Sequence, residues 1–225
     1  MIWASRAARH ARDAAMGYRA CEEASLTEAR QGNVGAGAGA AVGRLSGNSK
    51  GMVKGGLGTA SVRVGELVVG AIVAVNCNGD VSDPDTGEIL AGTLTPDRTR
   101  VAGAMGILMG TAGIYKEGFL TNTTIGVVAT NGILTKSAAT RVAMMAHDGY
   151  ARTINPIHTL GDGDVVFTLG TGLVTGDVNR IGALAAWVMA QAVVKAVRAA
   201  DTFLGVPSCR EIGRTQEPTG PLQRG

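Results

Sequence analysis

The run Asn122-Thr123-Thr124-Ile125-Gly126-Val127-Val128-Ala129-Thr130 sets a polar Asn-Thr-Thr step directly against an apolar, β-branched stretch. Such a pattern reads as a buried strand that presents a hydroxyl at its first residue. If the Asn122-Thr123 bond were cut, Thr123 would carry a hydroxyl and a free α-amine together, one of the few ways to activate a threonine without a neighbouring histidine. Two plainer readings stand beside this one. The tripeptide Asn122-Thr123-Thr124 is also a glycosylation acceptor, and paired threonines at a strand edge are good β-formers in their own right.

Other residues could complete the chemistry. In Lys54-Gly55-Gly56-Leu57-Gly58-Thr59 an ammonium lies next to glycine-rich backbone through which it could approach a buried nucleophile, although a solvent-facing lysine is commoner. Asn76 follows an apolar run and could present its amide to an oxyanion, or simply form a turn. Asp162 and Asp164 flank Gly163, where two carboxylates could orient a threonine hydroxyl or the lysine. A calcium loop is the competing reading of that segment, and it lacks the further oxygen ligands and closing Glu of an EF-hand. His147, Asp148 and His158 suggest acid-base work, but without a serine or cysteine nearby in sequence structural histidines are the favoured reading.

The glycine run Gly35 to Gly43 fails as a dinucleotide loop, because no strand precedes it, its third glycine is out of register and no acidic residue follows at the ribose distance. The Gly-Lys-Ser/Thr order of a nucleotide-phosphate loop is absent at Lys50 and Lys54. Close backbone approach is the better use of these glycines. Cys21, Cys77 and Cys209 are odd in number, far apart and without a Cys-x-x-Cys pair, so neither a disulfide framework nor a zinc site is expected. No metal or organic cofactor is expected.

These residues need a sizeable folded scaffold, and 225 residues with 45% hydrophobic and 17% charged content can supply one core. With 34 glycines and only 4% aromatics, that core is built from Ala, Val, Ile, Leu and Met. A net charge of +3 without a basic stripe gives no indication of nucleic acid, and Arg6, Arg9 and Arg12 read as a solvated helix face. The Arg- and Ala-rich opening resembles a transit peptide, but Asp13, Glu22 and Glu23 interrupt it. The apolar run Ile181 to Ala190 suits a core helix better than a membrane span. A cytoplasmic protein with no membrane partner is expected.

Along the chain, residues 2–25 read as a helix with Trp3, Ala7, Ala11, Ala14 and Tyr18 near one face. Ser61 to Val64 alternates, and Leu67 to Val75 reads as a strand covered on both faces. Residues 79–100, with Asp83-Pro84-Asp85-Thr86-Gly87, read as a surface excursion, and residues 101–121 as a short helix or mobile loop ahead of the Thr123 strand. Thr135 N-caps a helix to about Arg152 with Ala138, Val142, Met145, Ala146 and Gly149 on one stripe. Val165 to Thr171 is a strand, and a long helix runs from about Val178 to Leu204, stopped by Gly205-Val206-Pro207. The sum is a layered α/β protein, with a loosely held tail from Ser208.

Seven blocks in order resemble the L-aminopeptidase/D-esterase family of self-cleaving N-terminal-nucleophile hydrolases, and most resemble its nylon-oligomer (6-aminohexanoate oligomer) hydrolase branch. They are Gly17-Tyr18-Arg19-Ala20-Cys21, Gly32-Asn33-Val34-Gly35-Ala36-Gly37, Lys54 to Ser61, Val75-Asn76, Asn122 to Gly126, Ala146-His147-Asp148-Gly149 and Asp162-Gly163-Asp164. The resemblance implies a four-layer αββα sandwich over a single hydrolase domain, residues 1–207, which self-cleavage divides into 1–122 and 123–207, with 208–225 as the tail. It implies Thr123 as nucleophile, Lys54 tuning it, Asn76 donating to the oxyanion, and Asp162 and Asp164 positioning the Thr123 amine and hydroxyl. It implies a small peptide or amide substrate and a homo-oligomer. The family also carries strands and an active-site tyrosine ahead of the Tyr18 block, so a mis-assigned start, a fragment or a shortened relative is expected, with a sheet edge left open. A non-catalytic scaffold acting in assembly, or an acyltransferase of the ornithine acetyltransferase type, are the alternatives.

Overall fold

β-Branched runs become strands and alanine-rich stripes become helices in the computed structural model, which describes residues 13–25, 27, 29–46, 51–110 and 122–212. Helix α1 (Ala14–Glu22) is followed by the short strands β1 (Ala41–Val42) and β2 (Val53–Lys54) and the hairpin of β3 (Gly56–Val64) and β4 (Leu67–Val75). Next come β5 (Asp80–Ser82), β6 (Ile89–Ala91), α2 (Ala104–Leu108) and β7 (Ile125–Gly132). The chain then forms α3 (Lys136–Thr153), β8 (Ile154–Asn155), β9 (Val165–Val174) and α4 (Val178–Arg198).

The main sheet has the order β3-β4-β7-β9. Gly65, at φ 64°, opens the two-residue turn that brings Val64 opposite Leu67. β4 and β7 run antiparallel with Ala74 opposite Ile125, whereas β7 and β9 run parallel with Ile125 beside Val165. A parallel neighbour needs a crossover, and α3 supplies it. β9 extends three residues beyond the expected strand.

Helix α4 lies on one face of this sheet, burying Ile181, Ala185, Val188, Met189, Ala192, Val193, Ala196 and Val197. Small residues let it approach. A Cβ at Gly58 would sit 2.0 Å from the Ala192 carbonyl oxygen, and one at Gly56 would sit 2.3 Å from that of Ala196. α4 is long and apolar enough to cross a membrane by length and composition, yet 67% of its most apolar window is buried inside the protein. It ends at Arg198 rather than Leu204, because Ala199 packs beneath Gly32 and Asn33 donates to the Asp201 carbonyl at 2.7 Å.

α3 crosses α4 through Gly149, with Val142, Ala146 and Tyr150 buried and Thr135 accepting from the Ala138 N–H as expected of an N-cap. On the opposite face of the sheet Val68, Gly70 and Ile72 are half-buried and Ile125, Phe167 and Leu169 are exposed. Among the described residues β4 is therefore covered on one face along its first half, not on both. The described residues form a helical layer over a sheet.

Three further expectations change. Residues 79–100 are a surface excursion only in part: Pro84 to Gly87 and residues 96–100 are exposed, whereas β5 pairs with β6 and β8, and Val81, Ala91, Thr93 and Leu94 are buried. Asp80 holds this part inward by accepting from the Thr93 and Ala104 N–H groups, and burial raises its carboxyl to about 6. The start of the tail is tied down, since the Lys54 N–H donates to the Pro207 carbonyl at 2.8 Å and Ser208 is buried. α1 buries nothing and Tyr18 is exposed, while Trp3, Ala7 and Ala11 lie outside the described residues. Residues 111–121, the second half of the expected mobile stretch, also lie outside them.

A Cβ at Gly149 would lie 2.5 Å from the Ala186 carbonyl oxygen and 2.7 Å from Met189 Cβ. Gly149→Ala is therefore expected to force the two helices apart and to cost about 1–3 kcal/mol in urea unfolding. Gly17→Ala, which meets nothing within 4 Å in α1, is expected not to lower stability.

Candidate active site

Because β4 ends where β7 and β9 begin, the segments after Val75, before Ile125 and before Val165 converge at one end of the main sheet. Asn122 and Asp162 extend the parallel pairing as an isolated bridge. The Asn122 N–H donates to the Gly161 carbonyl at 3.0 Å, and the Gly163 N–H donates to the Asn122 carbonyl at 2.8 Å. From the other side the Thr123 N–H donates to the Asn76 carbonyl at 3.1 Å. The Asn122-Thr123 peptide is thus held by backbone bonds on both sides.

Thr123 is half-buried, and its hydroxyl donates to the Asn122 carbonyl oxygen at 2.6 Å. The nucleophile candidate therefore rests against the carbonyl that precedes it. A chain of amides fixes Asn122 itself. Asn76 Nδ2 donates to Asn122 Oδ1 at 3.3 Å, Asn122 Nδ2 to Asn78 Oδ1 at 2.6 Å, and Asn78 Nδ2 to Asp162 Oδ1 at 2.9 Å. Asp162 Oδ2 accepts from the Thr159 N–H and hydroxyl at 3.0 and 2.6 Å. Asn122 is 4% exposed with its amide committed to Asn78, so the folded chain offers no glycosylation acceptor there.

Asp164 is buried, its side chain 1% exposed. One oxygen accepts from the Thr124 N–H at 2.8 Å and the other from the His158 ring at 3.1 Å and N–H at 3.3 Å. His147 Nδ1 lies 3.2 Å from His158 Nε2, which makes a line from the half-exposed His147 to the carboxylate beside Thr124. Burial, then the neighbouring His158, lowers the His147 pKa.

Lys54 is 2% exposed, and its ammonium donates to the carbonyls of Gly37, Ala38 and Ala40 at 3.2, 3.1 and 2.7 Å. With carbonyls as its partners, burial lowers its pKa to about 8. One residue links it to Asn76: Ala41 is the register partner of Lys54 and donates its N–H to Asn76 Oδ1 at 3.1 Å.

Asn76, Thr123, Asp162 and Asp164 therefore meet, with Lys54 one residue removed. Their bonds differ from the expected roles in detail. In the uncut chain the Asn76 amide donates to the Asn122 side chain, the N–H on the Asn122 carbonyl is that of Gly163, and Asp164 holds Thr124 rather than Thr123. Asn78, which the sequence reading did not single out, is the central link between Asn122 and Asp162. Its alternation with Asn76 beyond a buried strand is the signal that could have marked it. His158, read as structural, joins the site through Asp164.

The lowered Lys54 value has a thermodynamic sign. The unfolded chain, with an ordinary lysine near 10.4, binds the proton that the folded chain has released above about pH 8, so this residue's contribution to stability rises with pH across that window. Urea unfolding of the chain intact at Asn122-Thr123 is expected to show a rise between about pH 8 and pH 10.4 that Lys54→Met removes.

Similarity to known proteins covers this whole assembly. The chain is 39% identical over 218 residues to an uncharacterised aminopeptidase of Mycobacterium leprae, covering 87% of this chain and 58% of the relative. It is 29% identical over 206 residues to a 6-aminohexanoate-oligomer endohydrolase of Agromyces, covering 82% of this chain and 55% of that enzyme. The chain thus spans rather more than half the length of these relatives. Among solved structures, the L-aminopeptidase D-Ala-esterase/amidase of Ochrobactrum anthropi, a variant of the Ntn-hydrolase fold, superposes with a TM-score of 0.56 at 21% identity, over 81% of this chain and 48% of that one. A Burkholderia β-aminopeptidase gives a TM-score of 0.55 at 23% identity, over 86% and 53% of the two chains. These two show the fold to be that of the Ntn-hydrolase aminopeptidases. The sequence model of peptidase family S58 matches residues 5–209, a span that includes every segment converging on Thr123, and the chain belongs to that family.

Proposed function

We propose that this chain is the self-activating part of an amide or peptide hydrolase, with Thr123 as its nucleophile after cleavage of the Asn122-Thr123 bond. The observation that carries the reading is the Thr123 hydroxyl, 2.6 Å from the oxygen of its own preceding carbonyl at a junction fixed on both sides. Once cut, Thr123 keeps its nitrogen beside the Asn76 carbonyl as a free amine. Such an amine titrates near pH 7.7–8.0, so it accepts the hydroxyl proton at neutral pH. The hydroxyl oxygen attacks a substrate amide, the amine nitrogen passes the proton to the leaving group, and water releases the acyl group. Asn76 donates to the oxyanion, Asp162 and Asp164 orient the residues around Thr123, and the buried Lys54 charge favours the neutral amine.

Peptides and short amides are the proposed substrates, in keeping with relatives named aminopeptidase and 6-aminohexanoate-oligomer endohydrolase. We also propose a cytoplasmic homo-oligomer, for which the exposed Ile125, Phe167 and Leu169 offer an apolar face.

Mass spectrometry of the purified protein is expected to find two species, residues 1–122 and 123–225. Thr123→Ala is expected to stay in one piece and to hydrolyse neither aminoacyl anilides nor 6-aminohexanoate oligomers, and Asn76→Ala to reduce kcat about 100- to 1,000-fold once cut. A wild-type chain that persists whole and inactive is what a non-catalytic scaffold requires. Transfer of the acyl group to an amine in preference to water would identify an acyltransferase.

A further inference from the structure

We infer that the backbone N–H of Gly163 is the oxyanion donor for self-cleavage, a role that rests on the proposed cut at Asn122-Thr123 and is separate from that of Asn76 toward substrate. When the Thr123 hydroxyl attacks the Asn122 carbonyl carbon, negative charge develops on the Asn122 oxygen. A useful donor must stand about 2.7–3.1 Å from the position that oxygen takes as the charge develops, and an N–H already aimed at the ground-state oxygen starts close to that placement. The Gly163 N–H is so aimed, at 2.8 Å.

The donor is fixed by its neighbours. The Asn122–Asp162 bridge directs the Gly163 N–H at the carbonyl, while the Asp162 side chain, held by Asn78 and Thr159, restrains the backbone next to it. The same Asn78 holds the Asn122 amide, so donor and acceptor are anchored to one side chain. The absence of a side chain at 163 also matters, and for space: a Cβ there would lie 2.8 Å from Thr123 Oγ1. Glycine therefore supplies the donor and leaves room for the hydroxyl at one position.

The step balances without a co-reactant other than water. The Oγ1–C bond forms to Asn122, the hydroxyl proton passes to the Thr123 nitrogen, and the C–N bond breaks to leave an ester with a free amine. Hydrolysis of that ester yields the Asn122 carboxylate and the Thr123 terminus. Gly163 acts on the first transition state, by stabilising the oxygen before the C–N bond breaks.

Two measurements on the full chain test this. Replacing Gly163 with glycolic acid removes the N–H without adding a Cβ, and is expected to slow self-cleavage about 100- to 1,000-fold while the thermal midpoint shows a folded protein. In uncut Thr123→Ala, isotope-edited NMR is expected to show scalar coupling across the hydrogen bond from the Gly163 nitrogen to the Asn122 carbonyl carbon. A folded glycolic acid variant that cuts as fast as wild type overturns the Gly163 role and leaves Thr123 cleavage standing. If that variant does not fold, absence of the coupling overturns it instead. A wild-type chain that never cuts defeats the underlying reading and this one together.

Discussion

The site depends on the bridge between Asn122 and Asp162, where the parallel β7–β9 pairing continues past the ends of both strands. Were the pairing to stop at Ile125, Asn122 and Thr123 would form a loop free to turn their carbonyl in any direction. The bridge fixes the carbonyl against Gly163, and the Thr123–Asn76 bond fixes the adjoining nitrogen. Orientation of a reacting bond is one of the larger contributions an enzyme can make, since it removes rotational freedom before the chemical step. For the proposed cleavage of Asn122-Thr123 that orientation comes from sheet hydrogen bonds, with side chains holding the sheet's end in place.

That arrangement in turn relies on small residues under the helices. Gly56 and Gly58 let the α4 backbone sit directly on β3, and Gly126, near the start of β7, leaves room for the Tyr150 hydroxyl of α3 and the Met189 side chain of α4. A larger residue at 126 would press on those side chains from the strand that begins two residues after Thr123. The Tyr150 hydroxyl donates to the Val165 carbonyl at 3.4 Å and so spans from α3 to the start of β9. Core packing and site geometry are consequently linked through the β7 and β9 ends, and mutations in α3 or α4 can reach the site without touching it.

The sequence made the strands and their order of chemistry legible because these are local signals. Leu67–Val75 is apolar throughout, Thr135 caps α3, and the Asn-Thr-Thr step ends at a strand. What it did not reveal depends on contacts between distant segments. β5 is drawn inward by pairing with β8, Val81 with Ile154 and Asp80 with Asn155, 73 and 75 residues later in the chain, and Asp80 is held by backbone donors that no pattern announces. Asn78 carries little local sign of its role because its partners, Asn122 and Asp162, lie 44 and 84 residues away. The end of α4 was misplaced since Gly205 is a strong stop signal, whereas the Gly32 contact that does end the helix is invisible locally.

A buried ammonium is usually matched by a carboxylate, but Lys54 is met by three carbonyl dipoles, while Asp162 and Asp164 are occupied by neutral amide, hydroxyl and backbone donors and by His158. The positive charge is thereby left uncompensated close to Asn76, and the carboxylates serve as rigid anchors. A cation in that setting disfavours protonation of any amine brought near it. A direct Lys54–Asp162 ion pair would cancel this influence and release the anchors, so the separation of the two kinds of charge is what the proposed roles of Lys54 and Asp162 require.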